Sequence, residues 1–197
     1  KDKDIFNFFF CGRVIKSKNL QFTFKSLAYL KNVKKIENFK FYIVGSGNYL
    51  NKLKKLAKKL KISDKIAFVG YVGDKEVLSK YNSKAHLFLI SSIFDNDPLV
   101  VLEASQCGTP TLALANTGSS ERLINNVNGF TANYEVKDFG ERIYEIINDK
   151  NLYNNVCKTE WLLGNEISLW GLFLNCLGIQ CGWFFKNPGV NNPAWYV

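Results

Sequence analysis

The chain contains no methionine, a single histidine (His86) and no pair of cysteines two residues apart. Each scarcity removes a class of function. Without an initiator methionine, the sequence is expected to begin inside a longer protein. One histidine and an odd, uneven set of cysteines (Cys11, Cys107, Cys157, Cys176 and Cys181) exclude the usual zinc-site spacings. Cys11 lies in an apolar run and Cys107 on an apolar helical pattern, so both read as reduced core thiols of a cytoplasmic protein. No N-terminal secretory signal is visible. No polar or low-complexity tract points to disorder, and a hydrophobic content of 47% is ample for a core. At 197 residues this is one large domain, or a domain with an appendage.

Positive charge is present in excess, and unevenly. The net charge of +9 lies entirely within residues 1–157, which carry 24 Lys/Arg against 15 Asp/Glu. Residues 158–197 are balanced. Much of the excess is Lys52, Lys54, Lys55, Lys58, Lys59 and Lys61, which flank Leu53, Leu56, Ala57 and Leu60. That pattern is an amphipathic helix with a solvated face. Solubility explains it, and contact with an anionic membrane surface is the alternative. Nucleic acid is not expected as a partner, because no recognition motif accompanies the charge.

Apolar runs alternate with helical patterns along the chain. Strands are expected at Phe6–Cys11, Lys40–Val44, Lys65–Val69, His86–Ile90, Thr111–Leu114 and Gly129–Ala132. Helices are expected at Leu20–Lys31, Tyr49–Lys61, Lys75–Asn82, Leu99–Cys107, Ser120–Ile124 (with Ser119 as its cap) and Phe139–Asn148. Unalternating apolar strands between helices imply an α/β domain, a Rossmann-like parallel sheet with helices on both faces. Such sheets bind ligands beyond the carboxyl ends of their strands.

The densest chemistry lies in Ser91-Ser-Ile-Phe-Asp95-Asn-Asp-Pro98-Leu99, followed by Glu103, Gly108 and Pro110. Asp95 falls on a loop, and Glu103 eight residues later falls on an apolar helix. Pro98 suits a first helical turn, and the unpaired N–H groups from Leu99 onward favour an anion. Glu103 on such a helix is either a carboxylate awaiting a ligand hydroxyl or a solvated residue on the free face. These residues alone leave both readings open.

This segment resembles the E-x7-E region of the retaining, GT-B-type glycosyltransferases of family 4, the group 1 family. Asp95 stands in place of the first Glu, and Glu103 matches the second. Other matches follow in order through about residues 8–150. Gly12, Arg13 and Lys18 fit G-R-x-x-x-x-K-G, with Asn19 in place of the last glycine. Gly45 and Gly47 fit a G-x-G turn. Gly70-Tyr71-Val72 fits the G-x-V segment of the nucleobase pocket, followed by Asp74. Thr117-Gly118-Ser119-Ser120-Glu121 resembles the element beside the donor phosphates, and Asn128-Gly129-Phe130 a structural turn. His86 replaces an acid of the family pattern and reads as structural.

The resemblance implies one half of a GT-B fold, the C-terminal donor-binding domain of an enzyme transferring sugar with retention to a hydroxyl acceptor. The partners implied are a UDP- or GDP-sugar and an acceptor-binding N-terminal domain that this sequence lacks, so the fragment is expected to be inactive alone. Arg13 and Lys18 would hold the diphosphate, with no metal or other cofactor required. Val72 would meet the base through its backbone, with Asp74 beside it, and Leu99 belongs to the helix start. Glu103 would meet the ribose and Asp95 the donor sugar, these two being the catalytic residues. Cell-surface polysaccharide or lipopolysaccharide synthesis would be the setting, in the cytoplasm or at the inner face of its membrane.

The competing reading is a dinucleotide-binding oxidoreductase domain, with Gly45-x-Gly47 as its fingerprint and Asp64 as the ribose-binding acid. Against it, Leu50 replaces the third glycine, and Asp64 precedes a strand where the acid should end one.

The resemblance ends near Cys157, and all four tryptophans lie beyond it. Ile167–Phe185 is uncharged and long enough to span a bilayer, yet Gly171, Asn175, Gly178, Gln180 and Gly182 weaken that reading. A non-native or poorly packed tail is expected at residues 158–197 in preference to a membrane anchor, and an altered reading frame could produce such a change of composition. Removing the tail should leave the sheet domain folded and more soluble. A large fall in Tm on truncation would show instead that the tail packs on the domain.

Overall fold

The computed structural model describes residues 5–94 and 99–159 of the chain. Asp95 and Pro98, and the tail beyond residue 159 with its uncharged stretch, lie outside the described residues. Six strands form one parallel sheet: β1 (Phe6–Cys11), β2 (Phe39–Val44), β3 (Ile66–Gly70), β4 (Leu87–Ile90), β5 (Thr111–Leu114) and β6 (Phe130–Ala132). Their spatial order is β3-β2-β1-β4-β5-β6. The direction of winding therefore reverses between β1 and β4, which opens a crevice at their carboxyl ends.

Helices α1 (Leu20–Asn32), α2 (Leu50–Lys59), α3 (Lys75–Ser83), α4 (Leu99–Gln106) and α5 (Val136–Asn148) cover both faces. The side-chain period of two sorts the strand residues between them. Phe8, Phe10, Phe41, Ile43, Leu87, Leu89, Leu112 and Leu114 pack with Leu27 of α1, Leu53 and Ala57 of α2, and Phe139 and Ile143 of α5. Phe9, Val44, Phe88, Ile90 and Ala113 pack on the opposite face with Val101 and Ala104 of α4 and with Leu78 and Tyr81 of α3. Burial on both sides is the reason the strands carry no polar alternation.

Element ends follow local chemistry that hydrophobic spacing does not register. Helix α5 begins at Val136, three residues before the expected Phe139, because its first turn is polar. The expected helix Ser120–Ile124 does not form. In its place is a short 3-10 turn, Gly118–Ser120, preceded by Thr117 rather than capped by Ser119. Ser120 Oγ donates to the Thr117 carbonyl at 2.8 Å and accepts from the Thr117 N–H at 3.2 Å, closing the turn on itself. Asn128 then bonds the Ile124 N–H and the Arg122 carbonyl, holding the following loop away from helical geometry.

A helical segment over residues 150–159 crosses the boundary expected at residue 157. Its Val156 is fully buried in the first core cluster, with Leu152 and Tyr153 packed beside it. Tyr153 Oη donates to the His86 carbonyl at 2.8 Å. On α2, Leu53 and Ala57 are buried and the surrounding lysines exposed, as the amphipathic pattern required. Among the described residues, no helix is long and apolar enough to cross a membrane.

The loops at the carboxyl ends of β1, β2 and β3 are joined backbone to backbone. Gly12 N–H donates to the Val44 carbonyl (3.0 Å), Val14 N–H to Ser46 (2.8 Å) and Gly45 N–H to Gly70 (2.7 Å). A Cβ on Gly45 would stand 1.9 Å from the Gly12 carbonyl oxygen, and one on Gly47 would stand 2.2 Å from that of Val14. Gly45 also holds a φ of +137°. Gly45→Ala should therefore destabilise the fold by on the order of 2–4 kcal/mol. Chemical denaturation checks this, and a loss no greater than that of an exposed surface substitution would show the loops able to separate.

Candidate functional site

Three loops and one helix converge at the switch between β1 and β4. The first loop carries Gly12 and Arg13 directly after β1, then a 3-10 turn, Lys16–Lys18, that holds Lys18. Arg13 is exposed, and its guanidinium has no partner among the described residues. Asn19 ends this turn in the left-handed conformation, with φ of 52°. The family pattern has glycine there, and asparagine is the side-chain-bearing residue that tolerates this region best.

Asn19 is also a clamp. Its Nδ2 donates to the Ser91 carbonyl at 3.1 Å, and Ser91 Oγ returns a bond to the Asn19 carbonyl at 3.0 Å. Ser91 Oγ and Thr23 Oγ1 lie 2.7 Å apart, and Ser92 Oγ donates to the Ser17 carbonyl at 3.1 Å. Ser91, Ser92, Asn19 and Thr23 are all buried. The loop leading towards Asp95 is thereby fixed to the turn that presents Lys18. Sequence reasoning passed over this cluster because its partners are some seventy residues apart.

Glu103 is half-buried on α4, and its carboxylate forms no hydrogen bond or ion pair among the described residues. Burial raises its pKa, opposed by the charge of Lys75 at the start of α3. Two thiols feel the same carboxylate. Burial, and then Glu103, push Cys11 at the end of β1 up to about 11. Cys107 is raised by burial first and by Glu103 to a lesser degree, against a bond from Ser79. Glu103 thus lies within electrostatic reach of the carboxyl end of β1 and of the loop before α3. The residue is neither fully solvated on a free face nor paired by a hydrogen bond with another side chain among the described residues.

The remaining candidates divide. Gly45 and Gly47 serve the approach of one loop backbone to another, since the space of each missing side chain is filled by a carbonyl of the first loop. Val72 is half-buried against the second core cluster, which leaves its backbone on the loop between β3 and α3. Asp74 caps α3, accepting from Glu76 N–H at 2.8 Å and Val77 N–H at 3.2 Å. Leu99 is exposed at the start of α4. His86 directly precedes β4, at the amino end of the sheet's interior strands. Its Nδ1 accepts from the Asn7 N–H at 2.8 Å, and its ring stacks on Phe6 at 4.6 Å.

The group 1 glycosyl transferase family model matches residues 1–159. The chain belongs to that family.

Solved structures agree on the fold. The C-terminal domain of a glycosyl transferase group 1 family protein from Francisella tularensis superimposes with a TM-score of 0.71 at 18% identity, over 82% of this chain and 85% of that one. An Anabaena protein solved in complex with UDP gives a TM-score of 0.74 at 18% identity, over 89% of this chain and 49% of that one. The architecture is therefore one half of a GT-B fold. Among curated relatives, the alpha-monoglucosyldiacylglycerol synthase of Streptococcus pneumoniae is 32% identical over 105 residues, 53% of this chain and 23% of its own. The chain spans less than half the length of the curated relatives it matches.

Membership of this family replaces the dinucleotide-binding alternative, and the geometry gives the reason. The space of the missing side chains at Gly45 and Gly47 is taken by the Gly12 and Val14 carbonyls of the preceding loop. Asp64 sits in a 3-10 turn before β3, beside Lys31 at 3.6 Å and Lys65 at 3.3 Å.

The raised pKa of Glu103 makes it a group that folding protonates more readily than the unfolded chain does. Its favourable contribution is complete below the ordinary glutamate value of 4.5 and is lost as pH rises through the raised one. Glu103→Gln removes that titration. The variant should gain Tm relative to the parent as pH rises from below the glutamate range to neutrality. A Tm difference that stays constant over this interval would show the carboxylate to be well solvated.

Proposed function

We propose that the chain is the donor-binding half of a retaining glycosyltransferase, which takes sugar from a nucleoside-diphosphate sugar. The observation that supports this reading is that Arg13 and Lys18 lie on the loop after β1, at the single winding reversal of the sheet, while the half-buried Glu103 carboxylate has no hydrogen bond among the described residues. In the proposed arrangement, Arg13 and Lys18 hold the diphosphate and oppose the negative charge that grows as the glycosidic bond breaks. The N–H groups of the first turn of α4 add to them. These groups supply the cationic character the leaving diphosphate needs, so the proposal includes no divalent metal.

Glu103 accepts from the ribose hydroxyls, which gives its half-buried carboxylate hydrogen-bond partners. Asp95, outside the described residues, is assigned to the donor sugar by its place in the family pattern. The backbone at Val72 faces the base. The acceptor hydroxyl attacks the face the leaving phosphate departs from, assisted by that phosphate, with retention of configuration. UDP bound to the Anabaena neighbour supports a uridine or related donor. Relatives named as an alpha-monoglucosyldiacylglycerol synthase and as a Vi polysaccharide biosynthesis protein support polysaccharide or glycolipid synthesis as the setting, which we assign to the cytoplasm or the inner face of its membrane.

Calorimetry on residues 1–197 tests the assignment. The chain should bind UDP or GDP weakly and transfer no sugar, since a facing domain would be needed to position an acceptor and exclude water. Arg13→Ala should weaken the diphosphate by about 1.5–3 kcal/mol and flatten the salt dependence. Glu103→Gln should weaken it with salt dependence retained. Asp95→Asn should matter only for the whole sugar nucleotide. Equal losses of bare diphosphate binding from Asp95→Asn and Arg13→Ala would reverse the proposed donor orientation, and acceptor-dependent transfer by the chain alone would show a facing domain to be dispensable.

A further inference from the structure

Between residues 38 and 73 the chain carries eight lysines, no arginine and a single acid, Asp64. Five of those lysines, Lys52, Lys54, Lys55, Lys58 and Lys59, belong to α2, and every one is exposed. At 3.6 residues per turn they fill a continuous arc of about 160° on the side away from the buried Leu53 and Ala57. The other exposed residue of the helix, Asn51, is uncharged. None of the five lysines has a carboxylate partner among the described residues. Asp64, beyond the end of the helix, is already shared by Lys31 at 3.6 Å and Lys65 at 3.3 Å. Lys52 and Lys54 lie instead over the rings of Tyr49 and Phe68, at 5.3 and 5.7 Å from their centroids.

Helix stability does not account for this pattern. Lys52 stands in the first turn, where the dipole favours a carboxylate and none is present. Lys54 with Lys58 and Lys55 with Lys59 are like charges four residues apart, and Lys55 lies three residues from both Lys52 and Lys58. Each such pair opposes the helix. Solubility would be served as well by glutamate, or by mixed signs that form favourable pairs along the helix. What a face of one sign supplies is attraction for an external surface of the opposite sign.

The shape of the face selects the occupant. Helix α2 is about 15 Å long and its exposed side is convex, so its ammonium groups are spread too widely to close on one phosphate. Over a plane of anionic headgroups, each reaches a separate partner at the end of a flexible stem. Nucleic acid would be read through arginine, amide or aromatic side chains, and the arc offers Asn51 alone. The apolar side of α2 is used in the core, with Leu53 and Ala57 buried and Leu50, Leu56 and Leu60 packed beside them, so it has no apolar face to insert among acyl chains.

We infer that the lysine face of α2 seats the domain on an anionic lipid bilayer by charge alone. This specifies the membrane setting proposed above and is independent of the donor assignment. Tyr49 N–H donates to the Val14 carbonyl at 3.0 Å, so the start of α2 is fixed beside the loop that carries Arg13. A seated helix therefore holds that loop within about 15 Å of the lipid.

Cosedimentation of residues 1–197 with vesicles tests the inference. The chain should bind phosphatidylcholine vesicles containing about one-third phosphatidylglycerol, and should not bind phosphatidylcholine alone. Raising the salt from about 0.1 M to about 1 M should abolish binding, because the screening length falls from about 10 Å to roughly 3 Å. Each lysine at such a surface is worth about fivefold, so Lys55→Gln with Lys59→Gln should weaken binding roughly 25-fold. Lys55→Arg with Lys59→Arg should retain it. Lys80→Gln with Lys84→Gln removes the same charge from exposed positions on α3 and just after it, and should weaken binding less than about threefold. All three double variants should keep the parental Tm. Their UDP affinity by calorimetry should equal the parent's, so failure of nucleotide binding and failure of lipid binding are separate results. Equal losses from the α2 and α3 pairs would reduce the effect to net charge and overturn the inference. Binding to phosphatidylcholine alone that survives salt would overturn it by showing insertion of an apolar segment. Tighter binding to a DNA duplex than to the vesicles, at equal anionic charge, would assign the face to nucleic acid instead, and a parent that ignores anionic vesicles would leave the face merely solvated.

Discussion

The approach of the Gly45 backbone to the Gly12 carbonyl is the constraint from which the working end of this domain follows. With a Cβ at Gly45 only 1.9 Å from that oxygen, no other residue could stand there without moving one of the two loops. The contact brings the loops after β1 and β2 together, and a further backbone bond from Gly45 to Gly70 adds the loop after β3. Arg13 and Val72 are both carried by this joined layer. Their mutual placement is set by backbone hydrogen bonds and so does not depend on the flexible parts of their own side chains.

The opposite wall of the crevice is made differently. There the loop after β4 is tied to the Lys18 turn by buried hydroxyl and amide groups, Ser91, Thr23 and Asn19. Burying such groups is favourable only when every one finds a partner, so the cluster admits few geometries. It orders the segment that leads to Asp95 at the cost of placing polar atoms in the interior. Glu103 has no comparable set of bonds among the described residues. Its half-buried carboxylate is desolvated, which raises its pKa, and its charge adds to the burial that raises the two nearby thiols. A partly desolvated carboxylate without a hydrogen-bond partner is a natural place for a ligand to bind.

The glycine signals carried two possible meanings. A G-x-G turn after a strand is compatible with close approach of a ligand or of another backbone. In this domain the neighbour is the preceding loop, and that outcome separates the family's architecture from a dinucleotide fingerprint of similar spelling. Asp74 shows the same ambiguity, because a carboxylate before a helix serves as a cap whether or not it also meets a base.

Much of the architecture was legible in the linear sequence. Apolar runs such as Phe6–Cys11 and Leu87–Ile90, separated by amphipathic segments, are compatible with little besides a parallel sheet covered on both faces. The order of the motifs from Gly12 to Pro110 sufficed to name the family and to single out Arg13, Lys18 and Glu103. Local polar chemistry was less legible, as the failed helix at Ser120–Ile124 shows, because side-chain bonds from Ser120 and Asn128 outcompete a short helical pattern. Only the tertiary structure decided how the pieces meet: the carbonyl that fills the space at Gly45, the clamp between Asn19 and Ser91, and the nearness of Cys11 to Glu103. These contacts join residues far apart in the chain or depend on loop backbone angles. Hydrophobic periodicity reports which face of an element is buried, and it carries no information about which distant atom lies against it.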